Sequence, residues 1–204
     1  ADDIHVSGAD STVSVQDVRQ ALAPQVGQSL VSLNLEEMGH EVTDALVRVR
    51  SVRVTRNWPR GVDVALTLRV PVAVRQVEGG YELLDGDAVV LGAVGEAPAG
   101  LATIVTPQGE SLTGEQVSAV AVAIGALDPA VRAQVVSGTA SATGQVSLSL
   151  ASGSTVVWGD TTDLALKARV LTQLLGARSA SVYDVSAPRS PVTAGEATPT
   201  PTAP

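Results

Sequence analysis

Apolar and polar positions along this chain repeat with two different periods, and the switches between them outline its elements. Ile4 and Val6 alternate with polar neighbours and Gly8 closes the run, which predicts a short strand and a turn. Ser14, with Asp17 three residues later, offers a helix N-cap; Val15, Val18 and Leu22 share one helical face that should end near Pro24 to Gly27. A second helical stripe joins Leu35, Met38, Val42, Leu46 and Val49, with Glu36, Glu37, Glu41 and Asp44 toward water. Val52 and Val54 then alternate with Arg53 and Thr55 until Asn57-Trp58-Pro59-Arg60-Gly61 interrupts the run with turn residues, and Val62, Val64, Leu66 and Leu68 resume it. A hairpin is the simplest reading. The parity continues through Val70, Val72 and Val74, so one long strand bent at Pro71 could join two domains. Proline lacks the amide that a central ladder needs, which places Pro71 at an edge or at the junction.

Further on, Tyr81 to Leu84 and Val89 to Leu91 flank Asp85-Gly86-Asp87 as a second hairpin, and Ala102 to Val105 is a short apolar run. Thr113 and Gln116 form a capping-box pair ahead of Val117, Val120, Ala121, Ile124 and Leu127, a helix that stops before Asp128-Pro129. Val131 to Val136, Gln145 to Leu150 and Thr155 to Trp158, separated by Gly/Ser-rich turns, read as an antiparallel meander. Leu164, Ala168, Leu171, Leu174 and Leu175 mark a third helix with Gly176 as its terminator, and Ala180 to Ser186 a last strand. The expected fold class is α+β. Residues 1–70 form a β-α-α-β-β domain, residues 71–187 a mostly antiparallel β domain with helices on one face, and residues 188–204 a disordered Pro/Thr-rich tail.

Composition narrows the function. The 204 residues carry 13 Lys plus Arg against 21 Asp plus Glu, a net charge of −8 that opposes neutralising phosphates, so nucleic acid is not an expected partner. Cysteine is absent, which excludes disulfides and thiolate metal sites and leaves the redox compartment open. With no Phe, two Trp and two Tyr, the core must come from Val, Leu and Ala. The most apolar stretch, Ala119 to Leu127, is far below the roughly 20 residues that span a bilayer. An anchor outside this stretch is compatible with it.

Catalytic patterns are missing. Neither His5 nor His40 stands beside a nucleophile motif, and no phosphate-cradling glycine loop follows a strand. Asp85 and Asp87 lack calcium-loop spacing and read as a turn, while Asp160 and Asp163 read as helix caps. No cofactor, metal or catalytic residue is expected.

The order of elements and several short motifs resemble the extracytoplasmic part of the bacterial cell-division family FtsQ/DivIB, in its actinobacterial type. The opening Ile4-x-Val6-x-Gly8, the capped helix at Ser14 and Gly27-Gln28-Ser29-Leu30 resemble the family's POTRA module. Arg56-Asn57-Trp58-Pro59 is similar to its R-x-W-P turn, and Arg69-Val70-Pro71-Val72-Ala73 to its interdomain join, with Leu68 in place of the usual acidic residue. Leu84-Asp85-Gly86-Asp87-Ala88-Val89-Val90 resembles a family hairpin with the glycine shifted; Lys167 and Ser181-Val182-Tyr183-Asp184-Val185-Ser186 match its closing helix and strand. The resemblance implies a non-enzymatic scaffold of septal cell division, held in the cell membrane by a single helix outside this sequence, with this region extracytoplasmic. It implies recruitment of FtsB and FtsL type partners by the β domain, and localisation and further division-protein contacts by POTRA.

The residues suggest how. A last strand followed only by a Pro-rich tail would be an open edge able to accept a partner strand. Ser181 to Ser186 would form that edge, with Tyr183 as anchor, Val185 on its face and Val182 and Asp184 on the other. Lys167, Arg169 and Arg178 could meet acidic partner residues or simply face solvent, and Tyr183 could instead cap the core. Trp58 is expected to be a packed turn residue. Two competing readings are another POTRA-bearing assembly or transport protein that binds nascent polypeptide, and an extracytoplasmic hydrolase or inhibitor with a pocket at His5 or His40.

Overall fold

The computed structural model describes residues 3–59, 61–106 and 112–195. The chain divides into two compact units, Ala1–Arg69 and Val70–Pro204.

In the first unit, strand β1 (Asp3–Ser7) is followed by helices α1 (Val15–Ala21) and α2 (Leu35–Ala45) and strands β2 (Val49–Asn57) and β3 (Gly61–Leu68). Local chemistry sets the helix starts. The Ser14 hydroxyl accepts from the Asp17 amide at 3.2 Å while the Asp17 carboxylate accepts from the Ser14 amide at 2.9 Å, the reciprocal pair expected for α1. Asn34 caps α2 by accepting from the Glu37 amide. The β3 strand is central in the order β1-β3-β2, parallel to β1 and antiparallel to β2. Its apolar residues Val62, Val64 and Leu66 join Ile4, Val18, Leu22, Met38 and Val42 in one core. Val49 shares that core from β2, because α2 already ends at Ala45.

Arg56 clamps the loop ahead of α2. Its guanidinium donates to the carbonyls of Leu30 and Leu33, each at 2.8 Å. Arg56→Ala should remove two charge-assisted bonds, cost the unit about 2 kcal/mol, and speed amide exchange in residues 28–34. Exchange there at the wild-type rate would show that the loop holds itself. Beyond Arg56, Trp58 departs from the expected packing: it is 64% exposed at the hairpin tip.

The second unit holds a nine-stranded sheet. In chain order come β4 (Pro71–Val77), β5 (Gly80–Asp85), β6 (Val90–Val94), β7 (Ala102–Ile104), α3 (Gly114–Ala126), α4 (Pro129–Arg132), β8 (Val135–Ala140), β9 (Val146–Leu150), β10 (Thr155–Gly159), α5 (Leu164–Ala177), β11 (Val182–Asp184) and β12 (Val192–Ala194). The spatial order is β12-β11-β10-β9-β8-β7-β4-β5-β6. Neighbours are mostly antiparallel, but β4–β7, β7–β8 and β10–β11 are parallel. Of the last two parallel pairs, β7 and β8 are bridged by α3 and the short α4, and β10 and β11 by α5. A parallel return needs a crossover, supplied by β5 and β6 between β4 and β7 and by helices in the other two pairs, and those helices gather over one face. Val120, Ile124, Leu148, Val156, Trp158 and Leu171 are fully buried there.

Several expectations are corrected. The long bent strand is two, broken at Arg69 and Val70, and Pro71 opens β4 opposite Asp85 at a register shift, where no amide is required of it. Val131 sits in α4, not in a strand, because Pro129 starts a helical turn after Asp128. Gly176 lies inside α5, which runs one residue further. The last strand spans only Val182–Asp184 and runs parallel to β10. Residues 188–195, expected in a disordered tail, include β12; the rest of that tail lies outside the described residues.

Candidate partner-docking edge at the end of the nine-stranded sheet

The crossover from β10 through α5 to β11 builds this end of the sheet. Alternation along β11 turns Tyr183 (4% exposed) and Val185 (0%) into the core and leaves Val182 and Asp184 half-exposed. The Tyr183 hydroxyl donates to the Arg178 carbonyl and accepts from the Ala180 amide, both at 2.9 Å. Ser154 donates to the Ala180 carbonyl at 2.8 Å, and the Thr155 amide to the Ser181 carbonyl at 2.9 Å. These bonds hold the entry to β11 from three sides. Asp184 turns the exit, accepting from the Ser186 amide and hydroxyl.

The structure therefore revises the candidate contact residues. Tyr183 and Val185 are core residues, since the face they share is the one under the helices; replacing either would disturb packing before it tested binding. The backbone of residues 181–186 is not an open edge either. β11 is flanked by β10 on one side and by β12 on the other, in the register Val182↔Ala194, Tyr183↔Thr193 and Asp184↔Val192. The sheet ends on β12, where Val192 is 59% exposed and no residue is buried. No strand lies beyond it among the described residues.

Lys167 is also turned inward. Its side chain is 1% exposed, and its ammonium donates to the Asp160 carboxylate at 2.7 Å and to the Asp160 carbonyl at 2.9 Å. That proton-rich partner, helped by the hydroxyl and amide of Thr162, holds the Asp160 carboxyl well below the usual carboxylate range. Asp160 ties the β10–α5 loop to the helix and is not a cap. Asp163 takes the N-cap position with a left-handed backbone and no side-chain cap bond. Of the three cations near this end, Arg169 and Arg178 are exposed, and Arg178 donates to the Thr193 hydroxyl at 3.2 Å.

His5 and His40 are both exposed, and the shallow hollow that His5 shares with Asp3, Asn57 and Trp58 contains no hydroxyl or thiol nucleophile. Asp85 does form a turn, its carboxylate accepting from the amides of Asp87 and Val89. Among the described residues no cluster of three or more His, Asp or Glu could hold a metal ion, and no helix is long and apolar enough to cross a membrane.

Comparison with known proteins assigns both units. Residues 1–68 match the model of the FtsQ-type POTRA domain, and residues 73–186 that of the C-terminal domain of cell division protein FtsQ/DivIB. The chain belongs to the FtsQ/DivIB family. It is 32% identical over 203 residues to the cell division protein FtsQ of Streptomyces collinus, covering 94% of this chain and 76% of that one. The FtsQ of Streptomyces griseus is 33% identical over 187 residues, covering 86% and 88%. That of Mycobacterium leprae is 32% identical over 188 residues, covering 92% of this chain and 54% of its own length. The actinobacterial resemblance is thus confirmed, and a match of both units to FtsQ leaves no support for a different POTRA-bearing protein. The FtsQ/DivIB C-terminal match stops at Ser186, before β12.

Proposed function

We propose that this division protein is a non-enzymatic scaffold that docks an extended segment of a partner, of the FtsB or FtsL type, at the C-terminal end of its nine-stranded sheet. The observation that carries this reading is the sheet's termination on a short, unburied strand over a firmly anchored one. Strand addition draws on backbone groups at a sheet margin, with alternate side chains selecting the partner. The opposite margin is a poorer template: β6 carries a register shift against β5 and has Gly92 at its centre. The first unit serves localisation and contacts with other division proteins, and the chain works on the outer side of the cell membrane at the septum.

The test is calorimetric titration with a peptide covering the extracytoplasmic segment of an FtsB-type protein from the same genome, followed by hydrogen–deuterium exchange of the complex. Protection is expected in residues 181–195. No binding at roughly 100 µM peptide, which is about −5.5 kcal/mol, or protection confined to residues 90–94, defeats the proposal.

A further inference from the structure

Exposed apolar side chains of the first unit meet at one end of its sheet. Gly61, at the start of β3, pairs with Asp3 at the start of β1 and with Asn57 at the end of β2, so the β2–β3 hairpin tip and the beginning of β1 lie side by side. Trp58 stands at that tip with exposed Pro59 next to it, and the hollow it shares with Asp3 and His5 leaves the indole 64% exposed. The bonds from Arg56 to the carbonyls of Leu30 and Leu33 hold a second loop at the same end, and that loop presents Val31, 74% exposed. The strand that leads to the tip is basic. Residues 45–62 contain Arg48, Arg50, Arg53, Arg56 and Arg60 and no Asp or Glu, in a chain whose net charge is −8. The acidic groups at this end are Asp3 and Asp63, and the Asp63 carboxylate accepts from the Asn57 side-chain amide at 3.0 Å.

We propose that this end of the first unit rests on the outer surface of the cell membrane, with Trp58 entering the headgroup region of an anionic lipid leaflet. The inference rests on the placement of the chain outside the membrane given above and is independent of strand addition. Indole suits the boundary between water and hydrocarbon, because its ring is apolar while its N–H needs a hydrogen-bond partner. The arginines along β2 match phosphate-bearing headgroups, to which a guanidinium donates two bonds at once. Area favours lipid over a protein. Trp58, Pro59 and Val31 expose on the order of 300 Å² together, well under the roughly 800 Å² per partner of a stable protein interface, whereas a leaflet takes up side chains singly. Since β1 begins at this end, a membrane helix joined to β1 delivers the tip to the lipid surface first. One indole is a weak ligand, but next to such a helix its contact is intramolecular and needs little affinity of its own. The helix and the tip together would fix how the first unit stands on the membrane.

Tethered vesicles test this with the full chain. A histidine tag ahead of Ala1 holds the protein on nickel-chelating lipid in vesicles of phosphatidylglycerol and brominated phosphatidylcholine, and bromine quenches only an indole that enters the leaflet. Trp158 is fully buried and supplies a constant background. Trp58 emission should shift to the blue and lose about a third or more of its intensity. In Val47→Trp/Trp58→Ser the indole moves to another exposed position, about 25 Å away at the other end of β2, and quenching should fall at least fivefold. Replacing the phosphatidylglycerol by phosphatidylcholine should at least halve the Trp58 signal. Quenching of Trp58 no greater than in the Val47→Trp/Trp58→Ser protein overturns the proposal, and so does quenching that is indifferent to lipid charge. A blue shift produced by the FtsB-type peptide without lipid assigns the tip to a protein and overturns it as well. Trp58→Ser should bind that peptide as the wild type does, so failure of the peptide titration defeats strand addition and leaves the lipid contact to be judged by the vesicles.

Discussion

Asp160→Ala should destabilise the second unit by about 1–3 kcal/mol, more than the loss of the partner ion in Lys167→Met. The asymmetry follows from burial. Removing the carboxylate leaves the Lys167 ammonium, in a side chain 1% exposed, with one backbone carbonyl as its remaining partner. Removing the ammonium leaves a carboxylate whose side chain is 55% exposed and can turn to water. A pair with both ions buried would lose roughly 3–5 kcal/mol on breaking; water at Asp160 screens this one and brings the figure down. Methionine replaces the lysine stem with apolar volume, so Lys167→Met should cost under about 1.5 kcal/mol. Urea unfolding followed by fluorescence of Trp158, which is fully buried in this unit, reads both changes. A larger loss for Lys167→Met than for Asp160→Ala would contradict the account.

The same carboxylate sets an acid dependence. Its pKa is lowered in the folded state, so protons bind the unfolded chain more readily. Its contribution is therefore complete above the ordinary aspartate value of about 3.9 and shrinks as pH falls below about 4. The stability difference between the wild type and Asp160→Asn should narrow over that range. A constant difference would mean that the folded carboxyl titrates normally.

Gly125→Val should cost about 2–3 kcal/mol, while Gly176→Ala, also within a helix, should gain about 0.5–1 kcal/mol. Glycine is a poor helix former, so its presence in α3 requires a compensating contact. At Gly125 an added Cβ would overlap Gly86 Cα and stand 3.0 Å from the Gly86 carbonyl oxygen. Both obstacles are backbone and cannot rotate away. The Gly86 turn would have to shift, straining the bonds that Asp85 makes to Asp87 and Val89. At Gly176 nothing stands within 4 Å, so alanine brings only its higher helix propensity. Thermal unfolding of the two variants should move in opposite directions; movement in the same direction would remove the close approach as the reason for Gly125.

Both predictions concern residues whose roles were only partly legible in the sequence. The capping boxes at Ser14 and Thr113 and the alternation in β3 were readable because their physics is local: a side chain meets a backbone three residues away, or a period of two sorts residues to two faces. That Tyr183 and Val185 share one face of β11 was readable on the same ground, as was the family, from the order of short motifs. Periodicity does not carry which side of a sheet is covered. Tyr183 and Val185 share a face in any strand, yet only the crossover of α5 makes that face the core. Lys167 has the ordinary look of a helix-surface cation, and the loop that folds Asp160 back onto it is a tertiary fact. The Pro-rich composition after Pro188 signals weak ordering, but a ladder of backbone bonds needs no apolar residue, so β12 left no hydrophobic trace.

The amino-acid order alone therefore determined two units, their main elements and membership in a cell-division family, because local propensity and hydrophobic period act over a few residues. Tertiary structure alone decided which strand closes the sheet and which candidate side chains reach solvent. Those outcomes depend on long-range pairing, where the backbone of residue 182 meets that of residue 194 irrespective of the side chains each carries.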